Sequence, residues 1–358
     1  MLQVTARAAP DVGGVETHVT EVSTRLLERG VDVHILATDT AGDLPPRGLI
    51  DGVPVERVRA YPRSADWRIA LGVAPRVADG GWDVVHVQCW HTFVPPIAMA
   101  AAARSRTPYV LTFHAGGHSS GLRTRVRGLQ LRAQRPLLMR AAALVAIAEF
   151  EIEHYGRLAG LPADHFVVIP NGADVPELPA DIPRPATGPL LVSVGRLERY
   201  KGHERLIAAL PAVRREFPDA RVWIAGNGPD GERLAALASS LGVADAVEIG
   251  GADREVLLAR LAGADLGVLL SDFETQPIAV LEAASLGVPM LVADNSGMTE
   301  MAAKGLATAV PADAGAAAHA RAIVAQLRDP RRPPAVTLPS WDDCADGLLR
   351  LYERVARA

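Results

Sequence analysis

The sequence predicts an α/β protein made of two Rossmann-like domains, and three observations carry that prediction. Short runs rich in β-branched residues alternate with longer stretches of helical period, the pattern of βα units on a parallel sheet. A proline-rich stretch without period, PELPADIPRPATG, interrupts this alternation after Asn171, and the same alternation restarts at Leu190. The length of 358 residues suits two domains of similar size, each able to bury a core.

In the first half the expected strands are 2–5, 31–37, 83–88, 109–113, 144–148 and 166–169. Between the first two, Val15, Val19, Val22 and Leu26 fall on one helical stripe, and Gly30 supplies a left-handed stop. The proline-rich stretch reads as a stiff connection and sets the domain limits at 1–178 and 188–338. Strands are then expected at 190–194, 221–225, 246–249, 266–270 and 288–293. A second proline cluster, 331–339, precedes a final helix over 341–355.

Hydrophobic residues make up 49% of the chain and charged residues 22%, with a formal net charge of -4, a balance that excludes disorder and bulk nucleic-acid affinity. Two distant cysteines, Cys89 and Cys344, give neither a disulfide framework nor paired zinc spacing, so a reducing cytoplasm is the expected setting. No charged segment followed by an apolar one opens the chain, which argues against a secretory signal. The longest apolar runs, such as 95–103, fall short of the roughly 20 residues a membrane span needs.

The second half opens with LLVSVGRLERYKGHERLIAAL, where Arg196 and Lys201 follow a strand and precede a helix. Two cations at a strand's carboxyl end suit an anion such as a diphosphate. Of 37 basic residues only Lys201 and Lys304 are lysine, which singles out Lys201 further. In ARVWIAGNGPDG, Gly226, Gly228 and Gly231 match G-x-G-x-x-G, with Glu248 about twenty residues on, the fingerprint of a dinucleotide site. Pro229 inside the loop and the mid-strand place of Glu248 count against a nicotinamide cofactor, while a turn that lets backbone approach a nucleotide fits.

The segment SDFETQPIAVLEAASLGVPMLVA puts Glu274 in a loop and Glu282 one to two turns into a helix that Pro277 opens. Two carboxylates so placed can serve different parts of one ligand, Glu274 near a sugar and Glu282 near a ribose diol. His86, Cys89 and His91 are weak metal candidates, because His86 and Cys89 are an odd number apart on an expected strand and point oppositely. No metal site is expected.

Together these motifs resemble the retaining glycosyltransferases of the GT-B fold, family 4, in which two Rossmann-like domains face a central cleft. PDVGGVETHV resembles the family's glycine-rich acceptor-side loop, VIPNGADV the end of its first domain, SVGRLERYKG its phosphate-gripping segment and IAGNGPDG its nucleotide loop. Glu274 and Glu282 resemble its E-x7-E pair, and the helix with Trp341 and Tyr352 resembles the segment that crosses back to the first domain, which assigns 341–358 there. The resemblance implies that Arg196 and Lys201 hold the donor diphosphate, Glu282 the ribose and Glu274 the donor-sugar hydroxyls. It implies that Gly13 and Gly14 approach the phosphate across the cleft and that His114 stands near the donor sugar.

One departure from the family pattern is the run Thr275, Gln276, Pro277 after the first glutamate. Pro277 has no N–H, so amide contacts to the donor fall to Ile278 and Ala279. The implied reaction moves a sugar from a UDP- or GDP-linked donor to an acceptor hydroxyl with retention, the leaving phosphate assisting proton removal and no metal or other cofactor taking part. An NAD-dependent dehydrogenase and a non-catalytic sugar-nucleotide-binding protein are the competing expectations.

No Asp or Glu occurs between Asp83 and Glu149, whereas Arg104, Arg106, Arg123, Arg125, Arg127, Arg132, Arg135 and Arg140 do. Leu122, Val126, Leu129 and Ala133 recur there at helical spacing. A basic amphipathic segment over 121–140 follows, suited to anionic lipid on the inner membrane face or to a phosphorylated acceptor, and equally to a plain surface helix.

Overall fold

The computed structural model describes residues 1–11, 13–62, 68–114, 121–173, 187–335 and 337–357, with the backbone alone for 121–125. The chain divides into two compact units. One gathers Met1–Ala115, Ser120–Gly172 and Pro339–Ala358, and the other centres on Ala173–Leu338.

In the first unit the chain runs through β1 (Leu2–Val4), α1 (Gly14–Glu28), β2 (His34–Asp39), β3 (Arg47–Ile50), β4 (Val53–Arg59), α2 (Val73–Asp79), β5 (Val85–Gln88) and α3 (Val94–Ser105). It continues through β6 (Tyr109–Thr112), α4 (Gly121–Leu138), β7 (Ala143–Ala146), α5 (Glu149–Ala159) and β8 (Phe166–Val168). The sheet order is β3-β4-β2-β1-β5-β6-β7-β8, parallel except for β3 against β4. The second unit holds β9 (Leu190–Val194), α6 (His203–Glu216), β10 (Arg221–Ala225), α7 (Gly231–Ser240), β11 (Val247–Gly250) and α8 (Arg254–Ala262). It also holds β12 (Leu266–Leu269), α9 (Ile278–Ser285), β13 (Met290–Asp294), α10 (Ser296–Ala303), β14 (Thr308–Pro311) and α11 (Ala316–Arg328). Its sheet is wholly parallel, in the order β11-β10-β9-β12-β13-β14.

Three strands were not expected. Asp51 and Gly52, both at positive φ (45° and 84°), form the tight turn that folds β3 onto β4. Asp-Gly between hydrophobic residues is a strong hairpin signal. β14 is a short edge strand ending at Pro311, where a missing N–H is tolerated. The second strand also starts at His34 instead of 31, because α1 ends in a Schellman arrangement: the Gly30 amide donates to the Leu27 carbonyl and the Val31 amide to that of Leu26.

Alternation along the first sheet sends its two faces to different partners. Leu2, Val4, Val85, Val87, Tyr109 and Leu111 pack with helices α2 to α5, whereas Ile35, Ala37, Val110 and Val145 pack with α1 and with the final helix α12 (Trp341–Ala356). α12 buries Trp341, Cys344, Leu348, Leu351, Tyr352 and Val355 on one stripe. Each such side chain contributes about 1.5–3 kcal/mol relative to exposure. A capping box starts the helix: the Asp343 amide donates to Ser340 Oγ (3.0 Å) and the Ser340 amide to Asp343 Oδ2 (2.8 Å). Arg29 at the end of α1 binds Asp342 and Asp346, both at 2.6 Å. In the second unit a continuous core lines both sheet faces, from Leu191 and Trp223 to Leu291 and Ile323.

Candidate active site

In the second sheet the strand order reverses between β9 and β12, and open parallel sheets bind ligands beyond the carboxyl ends of the strands at such a switch. The segments that follow these two strands carry Arg196, Lys201 and Glu274. Lys201 Nζ donates to Glu274 Oε1 at 2.7 Å, and Ser271 Oγ donates to the same oxygen at 2.8 Å. Both charged side chains are largely enclosed, at 15% and 12% exposure. Burial acts most strongly on Lys201 and disfavours its charge, but the Glu274 carboxylate and neighbouring Tyr200 outweigh it and hold the ammonium above its ordinary pKa. The Glu274 backbone is tied at both ends: its amide donates to Ser296 Oγ (2.9 Å), and its carbonyl accepts from the Gly297 amide (2.8 Å).

Arg196 is placed through its main chain. Buried His203 has its pKa lowered to about 4 by desolvation, so it is neutral; its Nε2 lies 3.2 Å from the Arg196 carbonyl and its Nδ1 2.9 Å from Ser193 Oγ. The Arg196 guanidinium, 53% exposed, reaches the Tyr200 hydroxyl and Glu198, each at 2.8 Å. Gly202 separates Lys201 from α6 at a φ of 69°, and a Cβ there would stand 2.0 Å from the Leu270 carbonyl oxygen. Only glycine lets the lysine loop sit so close to the end of β12.

Glu282 is buried on α9, with Oε1 2.8 Å from Arg254 Nη1. Desolvation raises its pKa although the guanidinium opposes the shift. Pro277 precedes α9 and accepts from the Val280 and Leu281 amides, so Ile278 and Ala279 head the helix. Gly226 and Gly228 follow β10 and pack against the Arg196 loop: a Cβ would meet the Gly195 carbonyl oxygen at 1.9 Å and that of Leu197 at 2.5 Å. Packing between two loops therefore already demands glycine at both positions. Glu248, the acid of the dinucleotide fingerprint, lies within β11 and is held by Arg260 through two bonds of 2.6 and 2.7 Å.

In the first unit the order reverses between β1 and β5. Gly13 and Gly14 lie after β1, where α1 begins. A Cβ on Gly13 would stand 2.4 Å from the Glu16 carboxylate, whereas none of the described atoms comes within 4 Å of one on Gly14. His114 lies two residues beyond β6, buried, with its ring centroid 4.4 Å from that of His18 and its Nε2 2.8 Å from Gln88 Oε1. Burial, then the neighbouring His18, His86 and His91, push its pKa well below 6.5. Residues 115–120 of its glycine-rich flank and the side chains of Arg123, Arg125 and Leu122 lie outside the described residues.

Sequence reasoning missed Ser271, Ser296, His203, Arg254 and Gln88. Backbone strain would have flagged one of them, because Cys89, His114 and Ser296 are non-glycine residues at φ of 66°, 44° and 47°, each just beyond a strand end. Among the described residues no group of three or more His, Cys, Asp or Glu could hold a metal ion, and no helix is long and apolar enough to cross a membrane.

Comparison with known proteins gives the same division of the chain. Residues 13–172 match a glycosyl transferase 4-like domain and residues 174–335 a glycosyl transferases group 1 domain. The chain is 32% identical to a glycogen synthase of Mycobacterium tuberculosis, covering 89% of this chain and 83% of that protein. It is 30% identical to a D-inositol 3-phosphate glycosyltransferase of Nocardiopsis dassonvillei, covering 96% and 90%. Sucrose-phosphate synthase of Thermosynechococcus elongatus shares the fold, with a TM-score of 0.75 at 20% identity over 99% of this chain and 96% of the other. An Anabaena protein, HepE, solved in complex with UDP, does so at 0.70 and 18% over 99% and 94%. The dehydrogenase expectation finds no such support, and its diagnostic acid is already engaged by Arg260. The chain belongs to the retaining family 4 glycosyltransferases of the GT-B fold, enzymes that move a sugar from a nucleotide sugar.

Proposed function

We propose that the second unit binds a UDP- or GDP-linked hexose, with Arg196 and Lys201 gripping the diphosphate. The observation that carries this reading is the Lys201–Glu274 pair at the switch between β9 and β12. An ammonium has three N–H donors, so the bond to Glu274 leaves two for phosphate oxygens. As the bond to the sugar breaks, negative charge grows on the departing diphosphate, and fixed cations lower the barrier by stabilising it. The amides of Ile278 and Ala279 add donors at the start of α9, and Gly226 and Gly228 let the nucleotide-side loop close on the Arg196 loop. Glu274 Oε2 accepts from donor-sugar hydroxyls, and Glu282 Oε2 from the ribose diol.

In the first unit, His114 serves the donor sugar and the Gly13–Gly14 turn the phosphate. Gly14 supports this, because the described residues make no packing demand for glycine there. The leaving phosphate takes the acceptor hydroxyl's proton, and turnover is expected to survive EDTA. HepE has been solved with UDP and UDP-glucose, and a starch synthase of Arabidopsis thaliana, which shares the fold, with ADP, so both nucleotides belong in the test. A thermal-shift panel of UDP, GDP, ADP and dTDP tests the reading, since a ligand of the folded state raises its melting temperature. Stabilisation by one of them in the wild type but not in Arg196→Ala supports it; equal stabilisation of both refutes the phosphate assignment.

A second reading concerns α4. Val126, Leu129 and Ala133 are exposed, Leu129 at 70%, beside exposed Arg132 and Arg135. Arg132 and Arg135 also donate through Nε to the Leu158 and Gly160 carbonyls, tying the helix to α5. We infer a peripheral contact with an anionic membrane, in line with the phosphatidyl-myo-inositol mannosyltransferase of Propionibacterium freudenreichii among the relatives, 30% identical over 89% of this chain and 84% of that one. Flotation with phosphatidylglycerol vesicles but not with phosphatidylcholine vesicles is the expected result, and equal behaviour with both removes it.

A further inference from the structure

The inner face of the first sheet carries a line of polar side chains that the proposed chemistry does not use. Gln3 pairs with His86 across β1 and β5, and Gln88 pairs with Thr112 across β5 and β6. All four share the face that packs on α12, and all are fully buried. Such groups are costly unless hydrogen-bonded, and here each finds a partner.

The bonds have one direction. Tyr352 of α12 lies 2.5 Å from His86 Nδ1. The Tyr352 oxygen already accepts from Gln3 Nε2 at 3.5 Å, and His86 Nδ1 is the acceptor within reach of its own proton. Tyr352 therefore donates, His86 Nδ1 accepts, and His86 carries its proton on Nε2, which donates to Thr112 Oγ1 at 2.7 Å. Gln88 Nε2 donates to Gln3 Oε1 at 2.7 Å, with His86 Nδ1, whose lone pair Tyr352 occupies, 3.3 Å away. The Gln88 carbonyl oxygen is left facing His114 Nε2 at 2.8 Å, a contact satisfied only if that nitrogen bears the proton. His18 fixes the ring plane from the side, itself anchored by Nδ1 to Asn171 Oδ1 at 2.8 Å.

We propose that Tyr352, His86 and Gln88 form a buried positioning chain that locks His114 as the Nε2–H tautomer, so that His114 presents Nδ1 as an acceptor. The C-terminal helix thereby sets the hydrogen-bonding character of a residue 238 positions earlier in the chain. The consequence for turnover rests on the reading of His114 as a donor-sugar contact: an Nδ1 acceptor takes a sugar O–H, whereas the opposite tautomer would donate to the hydroxyl oxygen and reverse the direction of that bond.

The test is long-range 1H–15N correlation spectroscopy of the histidine rings in the full chain at neutral pH, with the His114 signals identified by their loss in His114→Ala. The wild type should show unprotonated Nδ1 and protonated Nε2. Tyr352→Phe and Thr112→Val each remove one hydroxyl from His86 at nearly constant shape, and each should shift His114 toward the other tautomer and lower kcat about fivefold, the worth of one hydrogen bond. An Nδ1–H pattern in the wild type, or an unchanged His114 pattern in both folded variants, overturns the proposal; the wild-type spectrum decides even if a variant fails to fold. Wild-type turnover in His114→Ala would instead refute the sugar-contact reading and leave the tautomer result standing.

Discussion

Lys201 and Glu274 are the residues whose roles are most tightly constrained by their surroundings. Replacing Lys201 by Ala removes a charge-assisted bond to the developing phosphate charge of about 1.5–3 kcal/mol, so kcat/KM should fall roughly 10- to 100-fold. Steady-state kinetics with the donor found by the nucleotide panel check this, and an unchanged kcat/KM would place the diphosphate elsewhere. The glycines divide by cause. Gly226→Ala forces a Cβ to within 1.9 Å of the Gly195 carbonyl oxygen and should lower the melting temperature and turnover together. Gly14→Ala meets open space at the first residue of α1, where alanine is the better helix former, so it should hold or raise the melting temperature while weakening donor binding. Melting curves paired with donor KM separate the two cases; a destabilised Gly14→Ala would show that glycine there serves the fold.

At the scale of elements, α12 joins the first unit through its apolar stripe, its capping box and the ion pairs of Arg29 with Asp342 and Asp346. The ion pairs are partly exposed and weak, whereas the cap satisfies amide groups that the helix itself leaves unpaired. Ser340→Ala should therefore cost about 1 kcal/mol of stability. Urea denaturation followed by circular dichroism would show it, and a loss below the error of the fit would mean that packing of Trp341 and Leu348 alone fixes the start of the helix. α1 was legible from spacing, because a stripe at helical period is a local signal, and α12 from the proline cluster that precedes it. The β3–β4 hairpin carried a local signal too, in Asp51-Gly52, but its exposed outer strand lacks a clear hydrophobic alternation.

For the whole molecule, buried histidines link stability to pH. His18 and His203 have pKa values lowered by burial to about 4, and His86 and His114 are also well below 6.5. Each is neutral when folded, whereas the unfolded chain takes up these protons as pH falls through about 6.5. Stability is thus fully present above pH 6.5 and declines toward pH 4, by on the order of 3 kcal/mol for each of His18 and His203. Glu282 acts with the opposite sign: its raised pKa gives a contribution present below its ordinary value of 4.5 and lost as pH rises through the higher folded value. Melting temperatures between pH 8 and 5 should be flat and then fall, with a shallower fall in His203→Gln; a flat profile throughout would mean that the folded protein takes up these protons as readily as the unfolded chain.

The sequence by itself determined the two Rossmann-like halves, the strand-then-helix rhythm, the strand ends after which Arg196, Lys201 and Glu274 stand and the helix that carries Glu282, because hydrophobic period and turn residues act over a few positions of the chain. The tertiary structure alone decided who meets whom. Sheet order brings Lys201 to Glu274 across 73 residues and Tyr352 to His86 across 266, and loop packing, not a ligand alone, accounts for glycine at 226 and 228. Hydrogen-bond partners, desolvation and tautomers depend on distance in space, and that distance is set by strand register and helix docking, which no local spacing encodes.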